Sequence, residues 1–253
     1  MVIELPLWAG SSATFIGLGA WVLLLAFVGP AQQGKRGESL AIIGWIFVGG
    51  LAGAFLWGQI LGSGGVSSLG ALVGAGAVFA LRFFGAQQSE QSRWEEFDRF
   101  VVAGLLGGGV ARLGCLFEGC DVGRLTDGGL GVVYGVNTRA WEVQALWYDL
   151  PLYEQASAPV HPLGLYLGGL GILLGISAWN ARKIIQAPGI IGLIFGSLFF
   201  LVAALLEMLR EPAFTTRITE GISVHTFLLG LLGIASLGVL LYRYRSLETK
   251  EEC

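Results

Sequence analysis

The chain has 253 residues, of which 54% are hydrophobic and 13% charged, and its mean hydropathy is +0.71. An ordinary soluble domain carries roughly 25% charged residues, so a water-soluble globular fold is excluded and no nucleic-acid partner is expected. The formal net charge of −3 is uninformative as a sum. Its distribution along the chain is what carries information. The 41 glycines point the same way. Each would cost about 1 kcal/mol in an isolated soluble helix, whereas in a bilayer small residues let helices approach closely.

The first ten residues contain Glu4 and no Lys or Arg, so they lack the basic start of a cleavable signal peptide. The first apolar run is therefore expected as a retained helix. Apolar runs then follow at residues 13–28, 40–61, 69–84, 100–116, 164–179, 190–206 and 226–242. Each approaches the ~20 residues that a membrane-crossing helix needs. The predicted fold is an all-α integral membrane protein of about seven transmembrane helices. It forms a single transmembrane domain over residues 1–253 with an insertion at 118–162. That insertion is rich in Gly, Asp, Trp and Tyr and has no run of spanning length. It is expected to form a small extracytoplasmic head between the fourth and fifth helices. The alternation in Gly131-Val132-Val133-Tyr134-Gly135-Val136 suggests a short strand there.

Orientation follows from Lys and Arg in the loops. With the N-terminus outside, the inner segments hold Lys35, Arg36, Arg82, Arg93, Arg99, Arg182, Lys183, Arg243, Arg245 and Lys250. The outer segments hold Arg112, Arg124, Arg139, Arg210 and Arg217. The excess predicts N-out and C-in. The inner side reads as a solvated anchoring face.

Three polar clusters lie toward the outer side. The first closes the fourth apolar run and extends from Gly107-Gly108-Gly109 through Arg112, Cys115, Glu118, Cys120 and Asp121 to Arg124. A lone Arg at a helix end simply reaches for the interface. Within a Gly-rich run with acids and a second Arg, it also suits a phosphate. The second cluster, His161-Pro162 through Tyr166, opens the fifth run. Its His reads equally as an interfacial residue or a general base. The third is Glu207-Met208-Leu209-Arg210-Glu211-Pro212, where Glu207 and Arg210 share a helix face. It reads as an internal ion pair or as the wall of a headgroup cavity. Cys115 and Cys120, five residues apart, are expected as small buried residues. On the outer side a disulfide is possible, though awkward at that spacing within a helix, and the metal signal is weak.

In order and spacing these residues resemble the bacterial prolipoprotein diacylglyceryl transferase family. The family signature Gly-Arg-x-Gly-Asn-Phe-x-Asn-Gly-Glu-x-x-Gly-Arg is similar to the stretch running from Ala111-Arg112 to Gly123-Arg124. The family's His-Pro-x-Gln-Leu-Tyr-Glu is similar to His161-Pro162-Leu163-Gly164-Leu165-Tyr166-Leu167. Its Val-Glu-Phe-Phe-Arg-x-Pro is similar to the stretch from Leu206-Glu207 to Pro212, and its Ile-Ser-x-Gly-Gln to Ile222-Ser223-Val224-His225. Val48-Gly49-Gly50 matches the Gly-Gly of its second helix. The chain departs from the family where Leu69 replaces a His, Cys115 an Asn, Cys120 a Glu, Ala203 an Arg and Ile16 a Tyr.

The resemblance implies a multi-pass protein of the bacterial plasma (inner) membrane. It implies transfer of a diacylglyceryl group from phosphatidylglycerol to the thiol of a lipobox cysteine in the signal peptide of a prolipoprotein. No metal or organic cofactor is implied. Arg112, His161 and Glu207 are the candidate catalytic residues: Arg112 as phosphate clamp, His161 as base or positioning residue, and Glu207 with Arg210 as cavity wall. Arg124, Arg210, Glu118, Tyr166, Gly114, Gly119, Gly123 and His225 are candidate substrate-binding residues, with Glu118 and His225 as further candidates for the base. A descendant that binds a phospholipid or small anion without transfer is the alternative that the departures raise.

Overall fold

A computed structural model describes residues 2–5, 11–28, 36–60, 68–85, 88–128, 130–148, 151, 156–212, 217–219 and 222–251. Among these lie the helices α1 (Ser11–Val28), α2 (Arg36–Ile60), α3 (Ser68–Gly85), α4 (Glu90–Glu118), α5 (Arg139–Trp147), α6 (Leu163–Ala181), α7 (Ile190–Glu207) and α8 (Val224–Glu251). The strands are β1 (Val2–Leu5), β2 (Val122–Leu125), β3 (Gly131–Tyr134), β4 (Val160–Pro162), β5 (Arg217–Thr219) and β6 (Ile222–Ser223).

Every predicted apolar run falls on a helix. Among the described residues, five helices are long and apolar enough to cross a membrane: Gly37–Ile60, Glu90–Glu118, Leu163–Ala181, Ile190–Glu207 and Val224–Thr249. Two shorter apolar helices, Phe15–Leu24 and Leu69–Gly85, lie within α1 and α3. Lys35, the last residue of the second apolar run (61) and Cys253 lie outside the described residues. The helix α4 starts at Glu90, well ahead of the apolar run at 100. Ser89 caps it by accepting the Ser92 N–H at 3.2 Å, and a polar first turn of this kind is invisible to hydropathy.

The helix α4 is the hub of the bundle, packing against α1, α6 and α7, while α2 lies on α3 and α7 on α8. The α4–α6 crossing leaves no room for a side chain at its glycines. A Cβ added at Gly109 would sit 2.8 Å from the Ile172 nitrogen and 2.9 Å from the Gly168 oxygen. One added at Gly164 would sit 2.9 Å from the Leu116 nitrogen. Much of the glycine content thus serves backbone-to-backbone contact.

The expected strand is present as β3, but it belongs to a four-stranded sheet of order β1-β3-β4-β2. The strand β1 runs parallel to β3, pairing Val2 with Gly131 through Leu5 with Tyr134. The residues before α1 are therefore joined to the segment after α4. Val122, Val132, Tyr134, Ala140 and Val160 form the buried core of this small layer.

The opposite end of the bundle carries a buried polar network among its charged residues. Asp98 on α4 is buried and accepts the Gly189 and Gly192 N–H groups at 2.8 and 2.6 Å. These amides start α7, where a helix has unsatisfied donors and a partial positive charge. The buried Arg243 of α8 pairs with Glu90, donates to the Pro188 carbonyl at 3.4 Å and lies over the Trp94 ring at 5.0 Å. This network pins α4, α7 and α8 together. Asp98→Ala orphans two amide donors, so it should lower unfolding free energy by about 2 kcal/mol. Denaturation in detergent micelles measures this, with the exposed Asp127→Ala as a neutral control.

Candidate active site

The site begins where α4 ends. Gly119 adopts a left-handed conformation (φ 63°, ψ 29°), and its N–H and that of Cys120 both point back to the Cys115 carbonyl. Glycine tolerates this conformation without strain, and the turn is a standard helix stop. It folds Cys120 back onto Cys115, with the Cα atoms 4.9 Å apart and the sulfurs bonded. Of the readings open for these cysteines, the disulfide is the one the structure shows. The spacing is awkward only inside a helix, and Cys120 lies beyond the end of α4. The bond also removes both sulfurs as metal ligands.

The same turn directs Asp121 back toward α4. Its buried carboxylate accepts from Arg112 at 2.5 Å through one oxygen and from Arg210 at 2.6 Å through the other. Arg210 in turn donates to both oxygens of the buried Glu207, at 2.5 and 2.7 Å. The four side chains form one alternating chain: Arg112, Asp121, Arg210, Glu207. Bidentate guanidinium–carboxylate pairs are among the strongest charge-assisted hydrogen bonds.

Backbone pairing explains how residues so distant in sequence meet. After α7 ends, the Leu209 carbonyl accepts the Arg124 N–H at 2.8 Å, and the Glu211 N–H donates to the Val122 carbonyl at 3.0 Å. Gly123 and Arg210 form an antiparallel bridge. The tail of α7 thus extends the edge of β2 and sets Arg210 beside Asp121. Buried Glu211 accepts the Tyr148 hydroxyl at 2.9 Å, tying α5 to the same edge.

The electrostatics follow from burial against pairing. Burial alone would raise the Asp121 carboxyl, but the Arg112 and Arg210 guanidinium groups outweigh it and bring it down to about 2. For Arg210, burial works against the charge, and Asp121 and Glu207 more than reverse it, holding the guanidinium protonated. Tyr134 is pushed above its ordinary range by burial and by the nearby Asp121 charge.

The structure therefore unites Arg112, Glu207 and Arg210. His225, in the first turn of α8, lies within electrostatic reach of Glu207, Arg210, Arg112 and Asp121, and its Nδ1 is buried without a hydrogen-bond partner. His161 is placed differently. Its Nδ1 lies 3.4 Å from the Tyr166 hydroxyl, which donates to the Leu130 carbonyl at 3.3 Å. These two predicted residues form a pair of their own. Arg124 contributes its backbone N–H to the β2 edge and has an exposed side chain. Glu118 is half-buried at the end of α4, Gly114 is buried within α4, and Gly123 packs against His161. Asp121 belongs to the first polar cluster of the sequence, but no role there is assigned to it. The clue was charge balance: two arginines at apolar helix ends need acids, and Asp121 lies between the motif's own two arginines.

With this geometry in view, the family model described as prolipoprotein diacylglyceryl transferase matches residues 47–236, well over half of the chain. The chain belongs to that family. No curated protein matches it. The family is one of transferases acting in lipoprotein biosynthesis, and the matched span contains all four members of the ionic chain.

Because the folded-state value of Asp121 lies below the ordinary 3.8, its contribution to stability is whole above pH ~4 and is lost as pH falls toward 2. Over that window the advantage of this transferase over its Asp121→Asn variant should shrink by on the order of 2 kcal/mol. Chemical denaturation at a series of pH values measures it.

Proposed function

We propose that this family member transfers the diacylglyceryl group of phosphatidylglycerol to the thiol of a lipobox cysteine in a prolipoprotein signal peptide, at the outer face of a bacterial plasma membrane. The single observation carrying the reading is the ionic chain Arg112–Asp121–Arg210–Glu207, in which Asp121 aligns two guanidinium groups at adjoining helix ends. Arg112 is the more accessible, with 27% of its side chain exposed against 11% for Arg210. It is assigned to the lipid phosphate, and Arg210 with Glu207 forms the cavity wall.

In the reaction the acceptor sulfur bonds to the glyceryl carbon as that carbon's bond to the phosphate oxygen breaks. Glycerol 1-phosphate leaves with one more negative charge than the phosphodiester had, and the thiol proton goes to a base. Fixed cations aimed at the departing charge accelerate such a step. The thiolate is the nucleophile, so proton removal matters equally. His225 is assigned this role in preference to His161. Its unpartnered Nδ1 belongs to the charged cluster, whereas the His161 ring is engaged with Tyr166. His161, Tyr166 and Arg124 are retained as candidate contacts to the peptide or lipid, with Glu118, Gly114, Gly119 and Gly123 shaping the turn.

The proposed topology has seven crossings, N-out and C-in, with 118–162 as the extracytoplasmic head. Two observations support it besides the loop charges. The pairing of β1 with β3 requires the chain start and the post-α4 segment to share a side, as four crossings between them demand. The Cys115–Cys120 bond suits an oxidising compartment.

The test is transfer to a lipobox peptide in proteoliposomes of phosphatidylglycerol, followed by mass. Arg112→Ala should lower the rate by about 100-fold or more, in the range lost with a single charge-stabilising donor. His225→Gln should lower it more than His161→Gln. Wild-type product no greater than that of Arg112→Ala would sink the transferase reading.

A further inference from the structure

The transfer chemistry assigns no task to the Cys115–Cys120 disulfide, yet it sits against the centre of the site. Arg112 lies three residues before Cys115, one turn back on the same face of α4. Asp121 directly follows Cys120. The disulfide and the Arg112–Asp121 ion pair therefore close the same turn side by side. Without the covalent link, the turn itself is closed by the Gly119 and Cys120 amides bonded to one carbonyl, with β2 pinned only from Val122 onward. Helix ends of this kind open readily.

We infer that the Cys115–Cys120 disulfide is the positioning element for Asp121, holding its carboxylate between Arg112 and Arg210, so that headgroup handling depends on the bond being closed. The inference rests on the reading of Arg112 as the phosphate cation. Cys120 is exposed and Cys115 half-buried, so attack by a dithiol reductant is written at the Cys120 sulfur. Its thiolate attacks that sulfur, displacing Cys115, and its second thiol then displaces Cys120 while the reductant closes into its own cyclic disulfide. Two electrons pass to the protein, which gains two protons to leave Cys115 and Cys120 as thiols. Asp121 is then held by the backbone and its ion pairs alone, without the covalent link that fixes the turn before it.

The experiment uses the full chain in phosphatidylglycerol liposomes with a pre-reduced lipobox peptide. Protein is assayed untreated, after dithiothreitol, and after reoxidation. Reduction should lower kcat by at least about 10-fold through misplacement of the cations. KM for the peptide should stay within about twofold, since the loss falls on the transition state. Reoxidation should restore the rate. The Cys115→Ser/Cys120→Ser variant should be slow and indifferent to the reductant. Hydrogen exchange of the amides in 119–124 provides a second readout that needs no turnover, and reduction should speed it. An active enzyme whose kcat and exchange both ignore reduction would overturn the inference. So would two freely alkylated thiols in untreated protein, or a fall in melting temperature without change in kcat. Faster exchange in a protein that transfers nothing even when oxidised would uphold the positioning role and remove the transferase reading instead.

Discussion

One buried carboxylate organises the end of this bundle. Asp121 is buried and accepts from two guanidinium groups, one on α4 and one on the segment that follows α7. An unpaired carboxylate in that position would be prohibitively costly, and so would either arginine left alone. The requirement is mutual, and it dictates much of the local architecture. The left-handed turn at Gly119 aims the carboxylate, the α7 tail pairs with β2 to deliver Arg210, and Glu207 takes up two further donors of that arginine. What results is a preorganised pair of guanidinium groups at the rim of an apolar bundle, where attraction between opposite charges is stronger than in water. Diacylglyceryl transfer, the activity of the family, needs such a place for its leaving group.

The opposite end of the bundle obeys the same logic with a different aim. Asp98 answers the helix dipole and free amides of α7, and Arg243 answers Glu90 and the Trp94 ring. This network braces α4 and α7 at one end, so that their other ends hold Arg112 and Glu207 in a fixed relation. Close glycine contacts along α4 and α6 serve the same rigidity. Precise placement of charge at one end depends on packing along the whole of α4.

The membrane character, the seven apolar runs and the match of Arg112, Glu207 and Arg210 were legible in the sequence, because a bilayer demands long apolar runs and makes a charge beside one conspicuous. Asp121 was not, since its importance depends on a turn conformation at Gly119 and on backbone pairing with a segment far along the chain. The Cys115–Cys120 link was one of several open readings, because its geometry depends on the same turn. The parallel pairing of β1 with β3 is nonlocal and leaves no periodic signal in four residues. The two histidines looked alike in sequence, and only their surroundings separate them: Tyr166 for one, a charged cluster for the other.

The central claim is that Arg112 and Asp121 act as one unit, and a double-mutant cycle on transfer rate tests it most directly. Arg112→Ala, Asp121→Ala and the double variant are compared with wild type in phosphatidylglycerol proteoliposomes. If Asp121 works by fixing Arg112, the double variant should be no slower than the slower single variant. Losses that multiply, as for independent sites, would contradict the account.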